Sequence, residues 1–240
     1  MKKILLLSSL FIFNSFASTI EAPIKNGEVK ILYPCAVADS LQKEKPQKLT
    51  ISFFEKGKSA LGDKGIIFRY RDSVEEDDIT LKFRPKNGSK IMLDETLFSQ
   101  LNSSRLGELK CEADVTYDPV KPVIIPTCGF KSEGKELTKD HFEFLEMVNL
   151  KDLDLSNLRK VEVKATKWKL KTEDWNNALT FSKPPALEMW RFGNECIFEV
   201  SAKFYDLKSA STIMKQLKKL IRHEPSPVQG NKTSRVLQQI

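Results

Sequence analysis

The chain has 240 residues, 40% hydrophobic and 30% charged, with 39 Lys+Arg against 32 Asp+Glu and a formal net charge of +7. This composition excludes a collagen-like chain, disorder along the whole length and a disulfide-dense miniprotein, and the length is sufficient to bury a real core. Basic and acidic residues interleave rather than forming blocks, which argues against nucleic acid and favours an anionic small molecule as partner.

Met1-Lys2-Lys3 gives a positive start, Ile4 to Phe13 is apolar, and Ser15-Phe16-Ala17 supplies small residues at positions −3 and −1 of a cleavage site. Residues 1–17 therefore read as a secretory signal peptide cut after Ala17, too short in its apolar part to span a bilayer. The expectation is an exported monomer, periplasmic or secreted, with no transmembrane segment once the signal is removed, one domain over 18–223 and a disordered tail over 224–240.

In chain order, strands are predicted at Gly27 to Pro34, Leu49 to Phe54, Ile66 to Arg71 and Ile79 to Arg84, the last two joined by an acidic loop from Asp72 to Asp78. A short helix over Asp94 to Leu101 precedes a hairpin, Leu109 to Tyr117 with Val123 to Gly129. Thr138 caps a helix to Val148. Arg159 to Leu170 and Glu188 to Phe204, broken at Gly193-Asn194, are strand material, with a helical turn around Thr172 to Leu179 between them. Leu207, Ala210, Ile213, Met214, Leu217 and Ile221 fall at helical spacing, so Leu207 to Arg222 is an amphipathic helix. Strands interleaved with helices indicate one α+β domain.

The four cysteines allow three pairings. Asp118-Pro119-Val120-Lys121 is a turn with proline at its second position, and centring the hairpin there puts Cys111 directly opposite Cys128, within bridging distance. Cys35 then pairs with Cys196, and export permits both disulfides. A zinc site lacks support: there is no CxxC, and His141 and His223 lie far along the chain from every cysteine.

Several strands alternate charged and apolar residues: Phe68-Arg69-Tyr70-Arg71, Leu81-Lys82-Phe83-Arg84, Lys110-Cys111-Glu112-Ala113-Asp114-Val115, Lys160-Val161-Glu162-Val163-Lys164 and Glu199-Val200-Ser201-Ala202-Lys203. A strand period of two makes one face apolar and the other charged with both signs. Such a face is either the wet side of an ordinary sheet or the lining of a closed barrel whose apolar side lies under helices. Serine-hydrolase elbows, P-loops and HExxH are absent. His141 and Trp190 read as packing residues, and Glu75 to Asp78 as a solvated loop.

The run Gly65-Ile66-Ile67-Phe68-Arg69-Tyr70-Arg71 with Ile79-Thr80-Leu81-Lys82-Phe83-Arg84, the acidic strand Cys111-Glu112-Ala113-Asp114, and Ile197-Phe198-Glu199-Val200-Ser201 before the last helix resemble the CYTH domain, or triphosphate tunnel metalloenzyme fold. The resemblance covers roughly residues 27–222. It implies an antiparallel eight-stranded closed β-barrel with flanking helices, binding a phosphate or polyphosphate-like anion. Arg69, Arg71, Lys82 and Arg84 would hold phosphate, joined by Lys30, Lys164 and Lys203. Glu112, Asp114 and Glu199, with Glu28 and Glu162, would hold Mg²⁺ or Mn²⁺ and support a metal-dependent phosphohydrolase. The chain departs from the family's Glu-x-Glu-x-Lys first strand, carrying Glu28-Val29-Lys30, and has Ser201 where the closing strand has a second carboxylate. Fewer carboxylates weaken binding of a hard cation, so hydrolysis stays open beside a non-catalytic anion binder and an envelope structural protein.

Overall fold

A computed structural model describes residues 18–57, 60–74, 77–171, 181, 183–227 and 232–237. The signal-peptide expectation for 1–17 and the helical turn expected around Thr172 to Leu179, with Trp175, lie outside the described residues.

Nine strands close into a barrel: β2 (Gly27–Tyr33), β3 (Gln47–Glu55), β4 (Ile66–Ser73), β5 (Asp77–Phe83), β7 (Glu108–Thr116), β8 (Val123–Glu133), β9 (Arg159–Lys169), β10 (Ala186–Phe192) and β11 (Glu195–Phe204). Around the barrel the order is β10-β11-β2-β7-β8-β5-β4-β3-β9, with β9 returning to β10. Two short strands, β1 (Thr19–Glu21) and β6 (Met92–Asp94), pair separately. The expected count of eight strands becomes nine because Gly193-Asn194 turns the single run 188–204 into the β10–β11 hairpin, Gly193 taking a φ of 52°. The barrel is mixed rather than wholly antiparallel, since β2 and β7 run parallel. Gly27 permits that approach: a Cβ there would lie 2.0 Å from the Ala113 carbonyl oxygen.

Short helices α1 (Val37–Ser40) and α2 (Ala60–Asp63) sit in loops, while three longer ones cover the outside. Helix α3 (Glu95–Asn102) begins at Asp94, whose carboxylate accepts from the Leu97 N–H at 2.9 Å. Helix α4 (Lys139–Met147) starts in a reciprocal cap, with the Thr138 N–H donating to His141 Nδ1 at 3.0 Å, so His141 is a buried packing residue. Leu101, Phe144, Leu145 and Met147 pack on the outward faces of Phe68, Ile79, Leu81 and Phe130. Helix α5 (Ala210–Ile221) lays Ile213, Met214, Leu217 and Ile221 on Val29, Ile31, Val200 and Ala202. Under these helices the apolar strand faces point outward, which forces the alternate residues of β2, β4, β5, β7 and β11 into the lumen.

On β3 and β9 the direction reverses. Ile51, Phe53, Val163 and Ala165 point inward, where they form an apolar cluster with Trp190, Phe192 and Ile197. Glu162 and Lys164 are exposed on the outside. The tail also departs from expectation: within the supposedly disordered 224–240, residues Lys232–Leu237 form helix α6, with Val236 fully buried in that lumenal cluster.

Both cysteine pairs are joined, Cys111 to Cys128 across the directly opposed β7–β8 positions and Cys35 to Cys196 between the end of β2 and the start of β11. The second bridge spans 161 positions of sequence and fastens strands from opposite ends of the chain. Reduction should lower the melting temperature, each bridge contributing about 2–4 kcal/mol. A melting curve unchanged by reductant would contradict this.

Candidate functional site

The barrel encloses a cavity of about 350 Å³. Ten lysines and arginines line it against six carboxylates, which explains why so much charge can lie inside a folded chain and also leaves it incompletely balanced. The register that buries Ile79 and Leu81 outward sends Thr80 and Lys82 inward, with Arg84 following just beyond the strand. Across the sheet, Gly129 of β8 leaves room for them: a Cβ there would lie 2.8 Å from the Lys82 Cγ.

On the β2–β7 side the charges are paired. Lys30 Nζ donates to Asp114 Oδ1 at 2.6 Å and lies 3.5 Å from Glu28. Arg84 donates to the other Asp114 oxygen and, through Nε, to Thr127 Oγ1 at 3.3 Å. Glu112 is held by Lys110 at 2.5 Å and by Lys82 at 3.6 Å. The Ser201 hydroxyl donates to Glu28 at 2.9 Å. Burial opposes ionisation of Asp114, but Lys30, Arg84 and Lys82 together hold its carboxyl well below the usual range. Burial likewise opposes charge on Lys30, yet Asp114 and Glu28 keep its ammonium above the ordinary value.

On the β4–β5 side cations crowd together. Burial, reinforced by Arg71, pushes Arg69 down to about 9, and burial with the Arg69 charge pushes Lys82 down to about 8. The Nε atoms of Arg69 and Arg71 are buried with no hydrogen-bond partner. Buried donors without partners are costly, and a guanidinium aimed into a cavity offers a fork that matches phosphate oxygens.

Of the residues expected in the site, Glu28, Lys30, Arg69, Arg71, Lys82, Arg84, Glu112, Asp114, Glu199 and Lys203 all line this one cavity. Glu162 and Lys164 do not. Among the described residues no helix covers the outside of β9, so its apolar face turns inward and these two charges face water. The expected site lacked Lys110, Lys131, Lys167, Glu188 and Lys232, which line the cavity as well. Glu188 was recoverable: the Gly193-Asn194 turn sets it directly opposite Glu199. Asp78, assigned to a solvated loop, is fully buried in β5 and accepts from the Thr80 hydroxyl at 2.8 Å.

The carboxylates do not form a metal shell as they stand. Among the described residues no group of three or more His, Cys, Asp or Glu side chains converges on one point, and each carboxylate pair is already held by a lysine or arginine. A hard divalent cation wants about six oxygen ligands, which this arrangement does not fit.

No family model and no curated protein sequence matches the chain. Solved structures do match. A candidate adenylate cyclase from Bacillus halodurans aligns with a TM-score of 0.53 at 12% identity, over 88% of this chain and 98% of that one. A candidate adenylyl cyclase from Hippeastrum, described as having a dominant triphosphatase activity, aligns with a TM-score of 0.50 at 12% identity, over 88% of this chain and 94% of that one. Likeness at this identity establishes the fold, a closed CYTH-like tunnel with flanking helices.

Because Arg69 is buried beside like charges, its replacement by an apolar chain of similar length relieves the empty tunnel. Arg69→Met should raise the stability of the ligand-free protein by about 1 kcal/mol, read by denaturant unfolding. A loss of stability would mean that Arg69 is structurally compensated.

Proposed function

We propose that the protein is an exported binder of phosphate-rich anions, which enter the tunnel and are held chiefly by Arg69, Arg71 and Lys82. The observation that supports this most is the pair of buried, partnerless guanidinium Nε atoms beside a lysine whose pKa burial and the Arg69 charge lower to about 8. A polyanion supplies the missing acceptors and the missing negative charge together. Lys30, Arg84 and Lys203 extend the cationic lining along the lumen. The two disulfides accord with an oxidising compartment.

Binding does not require hydrolysis. Inorganic tripolyphosphate is the first probe, by calorimetry and by thermal shift, with phosphate release measured in parallel. The proposal expects binding that Arg69→Met removes. Phosphate release with Mg²⁺ that Glu112→Gln abolishes would make the protein a phosphohydrolase; no binding at all would favour a structural role.

The charge state of the lining sets the pH dependence. Lys82 and Arg69 are depressed to about 8 and about 9, so in the empty tunnel both are charged at pH 7 and lose charge as pH rises through those values. A bound anion favours their protonated forms, so binding is strongest below about pH 8 and should take up protons near it. Sulfate does not itself titrate in this range, so its affinity should fall about tenfold between pH 7 and pH 9.5, the effect of losing roughly one 1.4 kcal/mol interaction. Affinity that is flat or rising over that interval would contradict the assignment.

A further inference from the structure

Glu188 and Glu199 face each other directly across the β10–β11 ladder and both line the lumen, Glu199 buried and Glu188 largely so. Like charges at directly opposed positions repel, and burial makes the repulsion worse. The structure resolves the conflict with a residue from far along the chain. Lys232, on the first turn of α6, donates to Glu188 and to Glu199 Oε1, the latter at 2.8 Å. Its ammonium lies 4.3 Å from the centre of the Trp190 ring, a third favourable contact for a desolvated cation.

The rest of α6 fixes Lys232 in place. Val236 is fully buried among the lumenal apolar residues of β3, β9 and β10, and Arg235 pairs with Glu195 at 2.5 Å. The titration behaviour agrees with this arrangement. Burial opposes ionisation of Glu188, yet Lys232 with Arg71 holds it well below the usual range, while burial keeps Glu199 above it.

We propose that Lys232 is the tunnel's built-in cation: its ammonium occupies the place between Glu188 and Glu199 that a divalent metal would otherwise take, so that the tunnel binds its anion without metal. Three features of the lumen support this assignment. The two carboxylates are directly opposed across one ladder and line the same lumen. The ammonium touches both. Position 201, one step further along the same face, is a serine that donates to Glu28 rather than a third carboxylate. A tethered ammonium bridges the pair and offsets one of its two charges, without the oxygen ligands that Mg²⁺ or Mn²⁺ would demand. Removing the amine should therefore uncover a divalent-cation site.

The inference rests on the anion-binding reading only in its last clause, and its test separates the two. The purified protein, both disulfides intact, is titrated with MnCl₂ alone and free Mn²⁺ is followed by electron paramagnetic resonance. Wild type should bind no Mn²⁺ below millimolar concentration. Lys232→Met should bind it at least tenfold more tightly, Lys232→Arg should behave as wild type, and adding Glu199→Gln to Lys232→Met should remove the gain. Micromolar Mn²⁺ binding by wild type that Glu188→Gln abolishes, or no gain in a folded Lys232→Met, would overturn the assignment. Should Lys232→Met fail to fold, wild type alone decides: tripolyphosphate affinity should be the same in EDTA as in Mg²⁺, and a strict requirement for Mg²⁺ would refute the proposal. Absence of tripolyphosphate binding in every condition would sink the anion reading while leaving the Mn²⁺ comparison decisive for Lys232.

Discussion

The charge balance inside the barrel is the constraint from which the other properties of this protein follow. Six carboxylates and ten basic side chains share one cavity, and Asp114, Glu112, Glu188 and Glu199 are each already held by a lysine or arginine. Arg69, Arg71 and Lys82 cluster on the β4–β5 side, and burial with neighbouring positive charge lowers the pKa of Arg69 and Lys82. Such a cluster costs stability in the empty state, and proteins retain strain of this kind where a ligand relieves it. The disulfides and the two outer helical layers supply the rigidity that keeps these cations confined rather than letting the strands open.

What decides the direction of each strand face is the helical cover. Where α3, α4 and α5 lie outside, the sheet is buried on its outer side and the charged residues have only the lumen to occupy. Where no described helix lies outside, at β3 and β9, the apolar side chains close on one another within the barrel instead. The lumen is thus divided into a charged part and an apolar part, and α6 sits across the boundary, with Val236 in one and Lys232 in the other.

This division explains which features were legible in the sequence. Alternation marked β4, β5, β7, β9 and β11, and the turn at Asp118 to Lys121 fixed the Cys111–Cys128 register because hairpin geometry is local. Alternation also located Arg69, Lys82, Glu112 and Glu199, since each opposes large apolar neighbours that helices cover. The same pattern in Lys160 to Lys164 misled, because Val161 and Val163 are apolar enough to pack on either side and only tertiary cover chooses between them. Lys232 was hidden for a different reason. A short polar helix after proline and glycine carries no periodic signal of its own, and it folds where a ready-made apolar pocket receives Val236 and a carboxylate pair receives its lysine.

The central claim is that the cations clustered at Arg69, Arg71 and Lys82 in the lumen are the site of anion binding. Crystals soaked in tungstate, a tetrahedral dianion with strong anomalous scattering, test it most directly. An anomalous peak inside the barrel within hydrogen-bond reach of Arg69, Arg71 and Lys82 is the predicted result. Peaks confined to the outer face, around Lys160 and Lys164, with an empty lumen, would contradict the account.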